Sequence, residues 1–116
     1  MAYTETAEAF FARLSKGGLQ QAPQLERVVE FTIEGEGGGV WTLDLQSREI
    51  HAKDVESLGK KADVLVRARE RDFMALVEGR MSAQDGLLTE RLHLAGEAGA
   101  IGELMDALSA LRLADS

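Results

Sequence analysis

The sequence predicts an α+β fold, a two-layer sandwich in which an about five-stranded, mainly antiparallel sheet is covered on one face by helices. Residues 27–34 and 40–45 alternate apolar and polar side chains around a glycine-rich turn, which is typical of a β-hairpin. Residues 62–96 combine two more alternating segments with two short segments of helical spacing. Residues 98–113 carry apolar side chains along one helical face, so this helix can cover the sheet.

The length and composition of the chain favour one globular domain that spans residues 1–116. A chain of 116 residues is long enough for one hydrophobic core and too short for two. Its apolar content of 45% and its charged content of 28% are ordinary for a folded domain. Because the chain contains no cysteine, it can form neither disulfides nor thiolate metal sites. The first ten residues lack a basic segment followed by an apolar one, and no apolar run is long enough to cross a bilayer. We therefore expect an unprocessed cytoplasmic protein without a membrane span.

The formal net charge of −7 limits the partners that the chain can bind. Nucleic-acid binding needs clustered lysine and arginine side chains that displace counterions from phosphates, so we expect no nucleic-acid partner. For the same reason, we expect weak or no direct binding to anionic membranes. Five arginines lie close together in the sequence and are interleaved with acidic residues. They form either a surface of mixed charge or a local basic patch. These arginines are Arg67, Arg69, Arg71, Arg80 and Arg91.

The first half of the chain predicts a helix and the hairpin. Residues 4–14 have helical spacing, with Thr4 expected as the N-cap and Gly17-Gly18 as the terminator. A polar connector with the only proline, Pro23, leads to the hairpin. A short third strand at residues 48–52 is weakly patterned. The apolar stripe of the helix consists of Ala7, Phe10, Phe11 and Leu14.

The second half of the chain predicts a strand, two capped helices, a returning strand and a longer final helix. Residues 64–68 alternate as a half-buried strand does, and the next helix ends at Gly79. Ser82 is placed to cap the second helix, and residues 91–95 return as a strand. The final helix has an apolar stripe formed by Ile101, Leu104, Met105, Leu108 and Leu111.

A series of short motifs runs through this half of the chain: Ala62-Asp63, Asp72-Phe73, Gly79-Arg80-Met81-Ser82, Gln84 and Leu92-x-Leu94-Ala95-Gly96. Their order resembles the sterol-carrier-protein type-2 family of lipid-binding domains, over roughly residues 31–111. Ala83 stands where that family usually has proline, which leaves the fold intact because alanine suits the first helical position. Glu90 stands where the family usually has glycine, and glycine there indicates an unusual backbone angle. The resemblance implies the same sandwich fold.

Few residues qualify for catalysis or for metal binding. His51 and His93 have no neighbouring ligands at metal-binding spacing. The turn at residues 35–39 lacks the lysine and the hydroxyl residue of a phosphate-binding loop, so its glycines indicate turn chemistry. None of the serines lies in a nucleophile-elbow motif, and Ser82 already has a capping role. We therefore expect no enzymatic activity, no metal and no cofactor.

The remaining candidates for a binding site are apolar side chains that the packing of the core does not require. From periodicity alone, however, a packed core without a ligand is the favoured interpretation of these residues. The resemblance implies a tunnel between sheet and helices that holds a fatty-acyl, sterol-like or isoprenoid lipid. Methionine suits such a lining because it repacks easily. Gln84 is either a headgroup contact or an exposed helical residue. The candidate lipid-binding residues are Trp41, Phe73, Leu76, Met81, Gln84, Leu87, Leu88, Leu104, Met105 and Leu108.

The residues and the resemblance together predict a small stand-alone intracellular lipid-binding or lipid-transfer protein with an apolar tunnel. Two alternatives stay open. In the first, the chain is an accessory module that forms a homodimer or docks to a partner enzyme and presents lipid substrates to it. In the second, the chain is a structural family member whose tunnel is filled by side chains.

Overall fold

The computed structural model describes residues 6–16 and 26–104. The elements in chain order are α1 (Ala7–Ser15), β1 (Val28–Glu34), β2 (Gly39–Asp44), β3 (Glu49–His51), β4 (Val64–Arg69), α2 (Glu70–Val77), α3 (Ala83–Leu88) and β5 (Leu92–Gly96). Residues 98–104 are also helical, up to the end of the described part. The predicted α+β fold is confirmed.

The five strands form one sheet in the order β3-β2-β1-β4-β5. The pairings β1–β2, β2–β3 and β4–β5 are antiparallel, whereas the central pairing of β1 with β4 is parallel. The sheet is therefore mixed, with the predicted antiparallel majority. The parallel pairing joins the two halves of the chain, because Phe31 lies opposite both Trp41 of β2 and Val66 of β4. The weakly patterned third strand is confirmed as a short edge strand.

The N-cap of helix α1 lies two residues later in the chain than predicted. Thr6 is the N-cap, and its hydroxyl oxygen accepts a hydrogen bond from the backbone N–H of Ala9 at 3.1 Å. The prediction that Thr4 caps this helix is therefore wrong, because the hydroxyl that reaches the first turn belongs to Thr6. The predicted terminator Gly17-Gly18 lies outside the described residues. The predicted stripe of Ala7, Phe10, Phe11 and Leu14 is buried.

Helices α2 and α3 begin and end close to the predicted residues. Gly79 adopts a φ of 80° just after α2, which explains a glycine at this position. The Ser82 hydroxyl oxygen accepts a hydrogen bond from the backbone N–H of Asp85 at 3.0 Å, as predicted. Glu90, after α3, has a φ of 59°. The expectation of an unusual backbone angle at this position is confirmed.

The two faces of the sheet are covered differently. One face packs against the helices through a continuous apolar core. On the other face, the Thr42 hydroxyl donates a hydrogen bond to the Lys53 carbonyl oxygen at 2.7 Å, and the Lys60 ammonium pairs with the Asp44 carboxylate at 2.6 Å. Thr42 and Asp44 are buried as a result. On this side of β1, Val28, Glu30 and Thr32 are half-buried and only Glu34 is exposed.

Candidate functional site

Five aromatic rings meet between α1, α2 and the central strands. Phe11 of α1 stacks on Trp41 with ring centroids 4.5 Å apart and on Phe73 of α2 at 5.4 Å. Phe31 of β1 lies 5.2 Å from Phe11, and Phe10 meets Phe73 edge-on at 5.7 Å. Offset and edge-on pairs of this kind each add about 0.5–1.5 kcal/mol beyond area burial. This aromatic cluster fixes α1 and α2 to the sheet.

An aliphatic region continues the core beyond the rings. Leu76 of α2 and Met81 in the turn after it are buried, and Leu104 of the C-terminal helical segment is only 1% exposed. All of these side chains belong to the same core as the aromatic cluster. The structure therefore brings together Trp41, Phe73, Leu76, Met81 and Leu104 of the predicted lipid-binding set. Their contact with a lipid stays a prediction.

The α3 members of the predicted set lie on the outer side of that helix. Gln84 is exposed, and Leu87 and Leu88 are 43% and 74% exposed. α3 approaches β5 instead through Gly86, where an added Cβ would lie 3.1 Å from the Leu92 Cβ. Both leucines therefore lie outside the core, and their contact with a lipid stays a prediction. The other two members of the set, Met105 and Leu108, lie outside the described residues.

The position of Met81 depends on the tight turn between α2 and α3. The backbone N–H of Met81 donates a hydrogen bond to the Ala75 carbonyl oxygen at 3.1 Å, and the N–H of Arg80 donates to the same oxygen at 2.8 Å. This turn directs the Met81 side chain over Gly86, where an added Cβ would lie 3.0 Å from the Met81 Cε. The absence of a side chain on Gly86 thus leaves room for a flexible thioether beside the core.

An ion pair connects the C-terminal helical segment to the residue before β1. The Arg27 guanidinium, next to β1, donates a hydrogen bond through Nε to the Glu103 carboxylate at 2.7 Å. This hydrogen bond raises the pKa of Arg27 above its ordinary value, despite the opposing effect of desolvation. The carboxylate of the pair belongs to the residue before the buried Leu104. Sequence patterns did not predict the pair, because 76 residues separate its members.

The chemistry available to the described residues is limited. His51 and His93 lie on β3 and β5, which are the two opposite edges of the sheet. No group of three or more histidine, cysteine, aspartate or glutamate side chains in residues 6–16 and 26–104 is arranged to hold a metal ion. Within the same residues, no helix has the length and apolar character that crossing a bilayer requires.

Comparison with known families matches residues 7–109 to the SCP-2 sterol transfer family. The chain belongs to this family. The match includes α1, which lies outside the region that carried the sequence resemblance. No curated protein matches the chain at the level that indicates a relationship.

Solved structures of SCP-2 proteins share the fold. Apo sterol carrier protein 2 from Yarrowia lipolytica is 23% identical, with a TM-score of 0.70, and the match covers 90% of each chain. Sterol carrier protein-2 from Aedes aegypti, solved in complex with the C16 fatty acid palmitate, is 20% identical, with a TM-score of 0.66 and coverage of 86% of this chain and 91% of that chain. Identities this low show the shared fold alone.

The same fold also occurs within a larger enzyme. The inverting sec-alkylsulfatase Pisa1 from Pseudomonas sp. matches with a TM-score of 0.62 and 15% identity. The match covers 89% of this chain but only 16% of the sulfatase. This SCP-2-like fold therefore corresponds to a small part of that enzyme.

Proposed function

We propose that this SCP-2 family member is a small, stand-alone lipid-binding or lipid-transfer protein of the cytoplasm, with no catalytic activity of its own. The observation that carries the proposal is the family match over residues 7–109. The ligand class that we propose is a fatty-acyl, sterol-like or isoprenoid lipid, in line with the palmitate held by the Aedes aegypti structure. We further propose that the lipid lies in an apolar tunnel between sheet and helices.

The buried layer between sheet and helices has suitable chemistry for such a ligand. Leu76, Met81 and Leu104 present aliphatic and thioether groups. Such groups contact a hydrocarbon chain without directional hydrogen bonds. Two small residues lie close to Met81 in the chain. Gly86 has no side chain, and Ala83 is half-buried against the core. A ligand that enters this layer gains about 25 cal/mol for each Å² of apolar surface that leaves water.

A fluorescent acyl probe added to the delipidated protein tests the proposal. We expect saturable binding, and we expect Met81→Ala to weaken it about tenfold, because the loss of buried apolar contact is worth roughly 1–2 kcal/mol. Leu65→Ala is the matched control, since Leu65 is 46% exposed on the sheet face away from the helices. Native mass spectrometry of the purified protein reports bound lipid and subunit number together.

The outcome separates the proposal from the structural alternative. If the folded, delipidated protein takes up no probe, its interior is filled and the lipid-binding proposal fails. The aromatic cluster is the feature that favours this outcome, because its five rings already occupy the space between α1 and the sheet. If Met81→Ala and Leu65→Ala weaken probe binding equally, the probe does not bind in the buried layer between the sheet and the helices.

The presence of this fold within the alkylsulfatase supports the accessory-module alternative. The exposed side chains of Leu87 and Leu88 give α3 an apolar surface that a second copy or a partner enzyme can cover. Sedimentation of the wild-type chain and of the Leu87→Ser, Leu88→Ser double variant tests the homodimer. A dimer that the double variant abolishes supports this alternative, and monomers at all concentrations exclude the homodimer.

A further inference from the structure

A polar cleft of about 760 Å³ opens where β4 and β5 meet the start of α2. Its lining includes four arginines, which we call the arginine cleft: Arg67 and Arg69 of β4, Arg71 of α2 and Arg91 before β5. Arg67 and Arg69 alternate with the buried Val66 and Ala68 along β4, so they project on the sheet face opposite to the core. The cleft is therefore separate from the proposed lipid layer.

The cleft is positive in a chain that is strongly negative. Its four arginines face three carboxylates, those of Glu34, Asp72 and Glu90, which gives a formal charge of +1 with His93 neutral. The whole chain has a formal charge of −7. Arg67 is already paired, because its Nε donates a hydrogen bond to the Glu34 carboxylate at 2.9 Å. The other three arginines determine what the cleft can bind.

Arg69, Arg71 and Arg91 are exposed, and no ion pair or side-chain hydrogen bond within the described residues involves them. Two of them are close neighbours. Ala68 of β4 pairs with Leu92 of β5 at the end of the antiparallel ladder, and Arg69 and Arg91 lie directly beyond this pair and line the same cleft. Like charges in such positions destabilise a sheet. An anion held between the two guanidinium groups would remove this repulsion.

We propose that the arginine cleft binds a small phosphate-bearing molecule through Arg69, Arg71 and Arg91. A guanidinium group presents a planar fork of N–H donors that matches two phosphate oxygens. Three such forks can engage several oxygens of one phosphate dianion, whereas a carboxylate offers only two oxygens. The volume of about 760 Å³ is that of a small-molecule site and exceeds the needs of an inorganic ion. The phosphate belongs either to a free organic phosphate or to the headgroup of an anionic phospholipid.

Two titrations of the full chain at constant ionic strength test the proposal and separate these two sources. In one, glycerol 1-phosphate is added while NMR follows the arginine Nε–H resonances. In the other, vesicles of phosphatidylcholine, with and without phosphatidic acid, are tested for binding by flotation. We expect Arg69→Gln and Arg91→Gln each to weaken phosphate binding about tenfold, because each variant removes charge-assisted hydrogen bonds to the phosphate.

Arg80→Gln is the matched control, because it removes the same charge outside the cleft. Arg80 is exposed and donates to the Glu78 carboxylate through Nε at 3.0 Å. Glu90→Gln removes a carboxylate that lines the cleft, so we expect it to tighten phosphate binding several-fold. Saturable binding of glycerol 1-phosphate with this variant pattern supports a free phosphate. The same pattern with phosphatidic acid vesicles alone supports a lipid headgroup.

Two results would overturn the proposal. One is the absence of binding to both probes by the folded wild-type chain. The other is a loss of binding in Arg80→Gln that equals the loss in Arg69→Gln and Arg91→Gln, because attraction would then depend on total charge and not on the cleft. Neither result bears on the acyl-probe experiment, which concerns the apolar layer on the opposite sheet face.

Discussion

The half-buried carboxylate of Glu70 joins three elements that are far apart in sequence. Its Oε2 atom accepts a hydrogen bond from the Ala7 N–H at 2.9 Å, and its Oε1 atom accepts one from the Gly37 N–H at 3.2 Å. Glu70 thus connects the start of α2, the start of α1 and the β1–β2 turn. A Cβ at position 37 would collide with this carboxylate, which explains why a glycine suits the turn.

We expect Glu70→Gln to lower the free energy of unfolding by about 1–3 kcal/mol. Glutamine retains one acceptor oxygen, but its NH₂ group would face a second N–H donor, and the negative charge at the start of α1 would be lost. Urea denaturation measures the change. Glu36→Gln is the control, since Glu36 is exposed in the same turn. Equal midpoints for the two variants would show that the Glu70 hydrogen bonds contribute nothing net.

Asp44 is a buried acid whose environment favours its charged form. Burial raises the pKa of this carboxyl, but hydrogen bonds from Lys60, Ser47 and Gln46 together outweigh the burial and lower the pKa below its ordinary value. A lowered pKa in the folded state means that the ionised carboxylate stabilises the fold. This stabilisation is present above the ordinary pKa of about 4 and disappears as the pH falls through the lower folded-state value.

We therefore expect Asp44→Asn to destabilise the protein by about 1–3 kcal/mol at pH 7 and to have a much smaller effect near pH 2. Chemical denaturation of both proteins across this pH range measures the difference. Glu56→Gln, at an exposed position between Lys53 and Lys60, should show no such pH-dependent difference. A constant gap between Asp44→Asn and the wild type at all pH values would contradict the prediction.

The ends of helices show where local sequence patterns are reliable and where they are not. Ser82 and Gly79 were predicted correctly because capping and left-handed turns depend on nearby backbone atoms. Thr4 was chosen in error because Thr6 offers the same hydroxyl two residues later. Contacts such as that between Arg67 and Glu34 could not be predicted, since strand order decides which side chains meet.

The turn after α3 contains a residue that the local geometry disfavours. Glu90 has a φ of 59°, in the left-handed region that glycine tolerates best. We expect Glu90→Gly to stabilise the protein by about 0.5–1 kcal/mol through release of this strain. Glu90→Ala is the control, because it removes the same charge but keeps a Cβ, and it should bring no comparable gain. Thermal unfolding measures both, and a destabilised Glu90→Gly would contradict the prediction.

For the whole molecule, the fold was more predictable than the site. Alternation and helical spacing report which side chains are buried, and they identified the core residues Phe73, Leu76 and Leu104 correctly. Periodicity does not distinguish a packed core from a ligand-lined cavity, so the lipid site depends on the family relationship. The arginine cleft was predicted only as one interpretation of a charge pattern. The structure brings Arg67, Arg69, Arg71 and Arg91 together, whereas Arg80 pairs with Glu78.

The two proposed sites should differ in how strongly salt affects binding. Entry of a lipid into the apolar layer depends on desolvation, which salt screening affects little. Phosphate binding at the arginine cleft depends on exposed charges, so it weakens as the ionic strength rises. The net negative field of the chain also opposes its approach to anionic membranes, and we expect weak binding to anionic vesicles even at low salt.

We expect the affinity for an uncharged fluorescent acyl ester to change by less than about twofold between low and high salt, because screening acts on charges alone. The phosphate titration, performed on the same samples, is the internal control and should weaken markedly over the same range. Vesicle flotation at low salt completes the measurement. Tight, salt-reversible vesicle binding would contradict the expected weak membrane binding, because it would show that the local field of the arginine cleft outweighs the net charge of the chain. The same result would support a lipid headgroup as the phosphate that the cleft binds.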